Sequence, residues 1–364
     1  MGKMSVKRMP VQRKCGNLKR NRRLNVECTR VSTVMKFGGS SVADETCMRR
    51  VAEIVLGEAE SGSRPCVVLS AMGDTTNALL RLGELATTSA VDKSEEEEKM
   101  AEAEETLRSV MRRHEEAMER LETCASTREE VRGLLADVAK FVEGLRVVGE
   151  FSPRASDLLS SFGERMSTRI FAAYIRRLGV DAEQVDAFAE GLFVSTDQHT
   201  NGDILKETYQ NIAQSESIGG SEGECIPVVT GFLARGKETG EITTLGRGGS
   251  DLSATIIGRA LGLREVQVWK DVDGVLTTDP RLVAEARTVE RLTFEEATEL
   301  AYFGATVLHP QSMMPVRLHL IHIRVLCLSL HLPLLLPLPL PCVRTLVRRD
   351  ACPFDDYCDL SMRE

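Results

Sequence analysis

Thr244-Leu245-Gly246-Arg247-Gly248-Gly249-Ser250-Asp251 sets three glycines and one arginine between a predicted strand, 241–245, and an apolar-periodic helix marked by Leu252, Ile256, Ile257, Ala260 and Leu261. Glycines at a strand-to-helix turn let the backbone come close to a ligand. The first helical turn then points free N–H groups and a partial positive charge at it. Arg247 adds a planar fork suited to carboxylate or phosphate. Ser250 or Asp251 also suits a helix cap, so part of the pattern can serve folding alone. A related turn closes the first predicted strand, Met35-Lys36-Phe37-Gly38-Gly39-Ser40-Ser41. There the glycine N–H groups can cradle phosphate oxygens while the Lys36 ammonium neutralises charge between β- and γ-phosphates. The alternative for Lys36 is a surface lysine at a strand end. Neither G-x-x-x-x-G-K-[ST] nor G-x-G-x-x-G occurs, which argues against a P-loop and a dinucleotide fold.

Three further segments could contribute to one site. Ser70-Ala71-Met72-Gly73-Asp74-Thr75-Thr76-Asn77 ends another strand in a polar turn that either holds a small polar substrate or starts a helix. Phe162-Gly163-Glu164-Arg165-Met166-Ser167-Thr168 places Glu164 on a helix rich in small residues, where it suits a cationic amine or a surface ion pair equally. Trp269 to Arg281 follows a strand and has the composition of a nucleotide rim, although Gly274 and Pro280 also make ordinary turns. His309, before Pro310, reads as a structural hydrogen-bonding group. No Ser-His-Asp order, H-E-x-x-H or metal-spaced Cys/His set is present. Phosphoryl transfer to an alcohol asks for a base, whereas a carboxylate acceptor is already ionised at neutral pH. One lysine, one arginine, glycine turns and hydroxyls fit the carboxylate.

These turns need a frame. Between Thr33 and Pro310, strand candidates at 34–37, 65–71, 180–187, 226–230, 241–245 and 266–270 alternate with helix candidates near 44–60, 77–88, 155–178, 202–216, 251–262 and 293–303. That alternation implies right-handed crossovers and a largely parallel sheet covered on both faces. Ligands then bind at the carboxyl ends of its strands. Residues 94–148 break the rhythm and read as two charged amphipathic helices, a hairpin inserted in the α/β body or a solvated surface.

The chain has 364 residues, 42% hydrophobic and 27% charged, enough for one large or two ordinary domains. Its net charge of −8 argues against nucleic acid as a partner. Ten dispersed cysteines without a C-x-x-C pair read as reduced thiols and not as a zinc site. Residues 1–32 form a basic, acid-poor leader of transit-peptide character, or a basic tail. Residues 318–341 are mostly leucine and proline with almost no helix or strand pattern. Four prolines and several His/Arg positions argue against a membrane span there.

Taken together, K-F-G-G-S-S, V-L-S-A-M-G-D-T-T-N, F-G-E-R-M-S-T, T-L-G-R-G-G-S-D, W-K-D-V-D-G-V-L-T-T-D-P-R and F-G-A-T-V-L-H-P-Q-S-M closely resemble aspartate kinases, nearest the plant and algal lysine-sensitive type. The match runs in order from Val34 to Arg317. The resemblance implies an α/β amino-acid kinase fold, a carbamate kinase-like αβα sandwich with a mostly parallel central sheet. The implied reaction is ATP plus L-aspartate giving 4-phospho-L-aspartate and ADP, the first step towards lysine, threonine and methionine. By the same resemblance Lys36, Asp251 and Arg247 are catalytic, with Asp251 orienting Lys36. Lys36, Gly38, Gly39 and Ser40 hold ATP phosphates, and Lys270, Asp271, Leu276, Arg281 and Thr306 line the nucleotide. Thr76, Glu164, Arg247, Gly248, Gly249 and Ser250 hold aspartate, with Glu164 on its ammonium and Arg247 on a carboxylate. Mg2+ is carried by ATP, with no metal ligand from the protein.

The resemblance also implies domains 1–32 (leader), 33–317 (catalytic, with the 94–148 insertion) and 318–364 (an atypical tail). It implies a chloroplast setting, with the cytoplasm as alternative, and a family habit of homodimerisation through ACT domains that nothing after Arg317 resembles. Two departures stand out. Many relatives carry lysine or glutamine where Thr306 stands, and the last strand of the catalytic domain is in doubt. The alternatives are an inactive truncated form that only binds nucleotide or pairs with full-length subunits, and a sibling kinase acting on another carboxylate.

Overall fold

The computed structural model describes residues 30–88, 92–189, 191–220, 225–272, 274–278, 282–283, 285–302, 308–317, 321–328 and 343–348. In chain order the elements are β1 (Thr33–Phe37), α1 (Glu45–Glu60), β2 (Pro65–Leu69), α2 (Thr75–Thr87), α3 (Lys93–Arg120), α4 (Ala125–Val148), α5 (Pro153–Arg177), β3 (Ala182–Val185), β4 (Val194–Ser195), α6 (Glu207–Gln214), β5 (Ile226–Thr230), β6 (Leu233–Gly236), β7 (Ile242–Thr244), α7 (Gly249–Ala260), β8 (Glu265–Lys270), β9 (Arg291–Thr293), α8 (Phe294–Tyr302), α9 (Pro310–Arg317), β10 (His322–Cys327) and β11 (Val343–Arg348). Strands β1, β2 and β5 are buried along their whole length, as strands covered on both faces must be, with Lys36 the one charged residue among their mostly apolar side chains.

They lie in an eight-stranded sheet of order β3-β5-β2-β1-β8-β10-β11-β9. Every pairing in it is parallel except β10 with β11. Successive side chains of a strand point to opposite faces. Met35, Phe37, Val67 and Leu69 therefore enter one core with α1, α2 and α5. Val34, Val68, Val266 and Val268 enter the other, with α6, α7 and α8. The sequence expectation of a parallel sheet sandwiched between helical layers agrees with this architecture. No helix among the described residues is long and apolar enough to cross a membrane.

The insertion is a helical hairpin with one dry face. In α4, Val131, Leu134, Leu135, Val138, Val142 and Leu145 recur at helical spacing and are buried in the first core. Asp92 caps α3 by accepting from the Glu95 N–H at 2.9 Å, and Gly149 ends α4 in the left-handed conformation.

Two expectations need correction. The sequence pattern places the strand before the Arg247 turn in the parallel sheet. Instead β7 belongs to a separate three-stranded sheet of order β4-β6-β7, antiparallel to β6. Leu233 to Gly236 and Val194-Ser195 are too short to announce themselves, and their pairing is decided by tertiary contact. Second, the segment after Arg317 is not devoid of strand. Strand β10 pairs in parallel with β8 (Ile323↔Val266, Val325↔Val268), with Ile323 and Val325 fully buried and Arg324 bonded to Glu265 across the pair at 2.8 Å. Its apolar alternation covers too few positions to stand out beside leucine and proline runs. Strand status comes from the open edge that β8 offers.

Candidate active site

Strand parity explains the first catalytic candidate. Lys36 shares a face with Val34 and so points toward α7. Lys270, at the end of β8, has the parity of Val266 and Val268 and points the same way. Between them stands Asp251 in the first turn of α7, where the helix dipole favours an anion. Lys36 Nζ lies 2.6 Å from Asp251 Oδ1, and Lys270 Nζ lies 3.2 Å from Oδ2. Lys36 and Asp251 are 5% and 4% exposed. Burial pulls the Lys36 amine below the ordinary lysine range against the opposing pull of Asp251, and Lys270 adds to the lowering. Burial alone would push Asp251 upward, but the two lysines outweigh it and hold its carboxyl below the usual range. Two ammoniums against one carboxylate leave a single net positive charge at the mouth of the sheet.

The glycine turns bring backbone up to that charge. Any side chain at Gly39 would strike the carbonyl oxygens of Gly73 at 2.7 Å and Ala71 at 3.0 Å, so the first two turns can nest only without a Cβ. Gly248 caps α7 at φ 72°, and a Cβ there would run into the His309 side chain.

Glu164 comes from the middle of α5 and is 3% exposed. Its Oε1 accepts from the Ala71 N–H at 3.2 Å, while Oε2 is buried with no partner among the described residues. Burial pushes its carboxyl up to about 8, with the backbone hydrogen bonds pulling weakly the other way. A site with an orphaned carboxylate oxygen is poised to receive a cation. Gly163 permits this geometry, since a Cβ there would sit 2.6 Å from the Ala71 methyl.

These groups face one open cleft of about 980 Å3 at the carboxyl edge of β1, β2, β5 and β8. Among the predicted residues, Lys36, Gly38, Gly39, Ser40, Thr76, Glu164, Arg247, Gly248, Gly249, Ser250, Asp251, Lys270 and Asp271 all line it. Leu276 does not; it forms an isolated bridge with Thr288 away from the lining. Arg281 and Thr306 lie outside the described residues. Arg247 is exposed and makes no ion pair among the described residues, which leaves its guanidinium available.

Three residues outside the expected site set also contribute. Phe232 lines the cleft with φ 68°, a left-handed value rare for an aromatic residue and a mark of local strain. Its place after Gly231 at the end of β5 was a legible signal, since Gly231 has no room for a Cβ beside Ser250. Arg113 of the inserted hairpin bonds Thr75 Oγ1 at 3.1 Å and Asp74 at 2.5 Å, so the insertion touches the turn that carries Thr76. Nothing in its sequence context marks it. His309, read as structural, lines the cleft against Gly248.

A lysine–aspartate–lysine cluster beside glycine turns, at the carboxyl edge of a parallel sheet, has the charge and the free backbone N–H groups that suit phosphate oxygens. The chain belongs to the amino acid kinase family, whose model matches residues 32–327. Within that family it is 48% identical to Aspartokinase 1, chloroplastic, of Arabidopsis thaliana over 295 residues, covering 81% of this chain and 50% of the relative. It is 35% identical to Lysine-sensitive aspartokinase 3 of Escherichia coli over 287 residues, covering 78% of this chain and 58% of that one. The chain thus spans about half the length of the curated relatives it matches. The structure resembles E. coli aspartokinase III in complex with aspartate and ADP, with a TM-score of 0.74 at 32% identity, over 88% of this chain and 65% of that chain.

Proposed function

We propose that this protein transfers the γ-phosphoryl group of ATP to the side-chain carboxylate of L-aspartate, giving 4-phospho-L-aspartate and ADP. The observation that carries the reading is the pairing, in one cleft, of a net-positive Lys36–Asp251–Lys270 cluster with Glu164, whose buried Oε2 has no donor among the described residues. The first suits phosphate and the second an ammonium. The bound aspartate and ADP of the E. coli relative support the same assignment.

In this reading the ammonium of aspartate bonds Glu164 Oε2, and Arg247 takes a carboxylate in a bidentate grip. The N–H groups opening α7 face the same end of the substrate. A side-chain carboxylate oxygen then forms a bond to the γ-phosphorus. The bond to the β,γ-bridging oxygen breaks, and ADP leaves with that electron pair. The nucleophile is ionised already, so no protein base is required. Lys36 stays protonated against Asp251 and meets the negative charge that shifts toward the β,γ-bridge. Lys270 and the Gly38-Gly39 backbone hold the nucleotide phosphates. Magnesium on the nucleotide would neutralise phosphate charge. The donor set fits an ion carried there, because Asp251 is engaged by two lysines, leaving the exposed Asp271 as the rim carboxylate. The likeness to chloroplastic relatives supports a plastid setting.

The test is incubation of the protein with ATP, Mg2+, L-aspartate and hydroxylamine. Acyl hydroxamate is expected with aspartate and not with glutamate or N-acetylglutamate, and no ADP release is expected with a nucleoside monophosphate. Yields no higher than those of a Lys36→Ala control would refute the reading.

A further inference from the structure

Asp157 is fully buried in the first half of α5, outside the cleft lining, and four hydrogen bonds converge on it. Thr244 Oγ1 donates to Oδ1 at 2.6 Å, the Thr200 N–H reaches both oxygens at 3.0 Å, and His199 Nδ1 lies 2.8 Å from Oδ2. Thr200 is held at φ 66°, a left-handed conformation that threonine adopts only when its surroundings compel it. The Gly202 N–H donates to the Thr244 carbonyl at 2.8 Å, closing a ring between the 199–202 loop and the end of β7. Thr244 is the last residue of β7, and the Arg247 turn begins immediately after it.

Asp157 and Glu164 stand two helical turns apart on the same side of α5. The helix that presents the ammonium-binding carboxylate is therefore bolted, through Asp157, to the strand end that presents the carboxylate-binding arginine. Resting on the proposed aspartate reading, we infer that Asp157 is a positioning residue that sets the separation between Glu164 and the Arg247 turn, and with it the length of amino diacid the cleft accepts. With the ammonium on Glu164 and the side-chain carboxylate steered by Arg247 toward the γ-phosphoryl group, a four-carbon substrate spans the two anchors at one separation and a five-carbon one at another. Small displacements of such anchors are costly, since a misplacement of about 1 Å can cost on the order of 100-fold in rate.

The experiment measures steady-state kinetics of the full chain with Asp157→Asn, Thr244→Val and Thr244→Ser, using aspartate, glutamate and ATP as varied substrates. Asp157→Asn turns one acceptor oxygen into a donor facing donors, and Thr244→Val removes the hydroxyl at nearly constant volume. Both are expected to raise KM for aspartate about tenfold or more, leave KM for ATP within about twofold, and narrow the preference for aspartate over glutamate. Thr244→Ser, which keeps the hydroxyl, is expected to behave as wild type. If Asp157→Asn does not fold, the two Thr244 variants decide the matter alone. A wild-type protein inert toward aspartate sinks both this inference and the reading beneath it. An active wild type whose variants melt earlier but keep KM for aspartate and the glutamate ratio unchanged sinks the inference only.

Discussion

Replacing Glu164 by Gln should make the ligand-free protein more stable, and more so as pH rises. Gln reproduces the shape and hydrogen-bonding of a protonated carboxyl, which is the form that burial favours at this position. The carboxyl titrates near 4.5 in an unfolded chain and is pushed up to about 8 in the folded one, burial being the main cause. The folded state therefore holds the proton more tightly. The contribution of Glu164 to stability is complete below its unfolded value and is lost as pH climbs toward 8. At about 1.4 kcal/mol per pH unit within that window, ionisation costs the fold on the order of 1 kcal/mol at pH 5 and about 4 kcal/mol at pH 7.5. The Gln variant is free of that cost, so its advantage over wild type should widen by about 3 kcal/mol between those conditions. Urea unfolding of both proteins at pH 5 and pH 7.5, without ligands, reads the difference directly. Saturating aspartate should reverse the order at pH 7.5, because only an ionised carboxylate gains from a bound ammonium. An advantage that is constant or shrinking with pH would refute the assignment of Glu164 as a buried, unpartnered carboxyl.

Other outcomes follow from the same geometry. Lys36→Met should lower kcat by about 100- to 1,000-fold in the coupled ADP-release assay while the fold persists, since Asp251 keeps Lys270 as partner. Asp251→Asn leaves two ammoniums facing each other without a counter-charge, and should cost about 3 kcal/mol or more of stability by denaturant titration as well as most activity. Gly248→Ala places a Cβ at φ 72° against His309, and calorimetry should show a loss of about 1–3 kcal/mol together with a raised KM for aspartate. A variant at Gly248 with unchanged melting and kinetics would mean that the turn has more room than the structure shows.

The chemistry-bearing turns were legible because each is local. Lys36 beside Gly38-Gly39 and Arg247 before Gly248-Gly249 are short runs whose glycines answer to backbone approach and left-handed φ, constraints that act within a few residues. The alternation of β-branched runs with helical periods likewise follows from strand and helix repeats, and the observed β1, β2, β5 and β8 fall within a residue or two of expectation.

What the chain alone left open depends on partners distant in sequence. Glu164 could have been a surface ion pair; only the burial of α5 beneath Ala71 strips it of water and raises its pKa. The sharing of Asp251 by Lys36 and Lys270 needs β1 and β8 to be neighbours in the sheet with α7 across their common face. Strand β10 is a strand because β8 has an open edge, and β7 leaves the main sheet because β6 pairs with it. Asp157 had no motif at all, since its role is defined by three residues more than forty positions away that converge on one carboxylate. Backbone conformation and periodicity are written locally in the sequence, whereas desolvation, charge sharing and strand partnership are properties of packing, and they came into being only when the chain closed on itself.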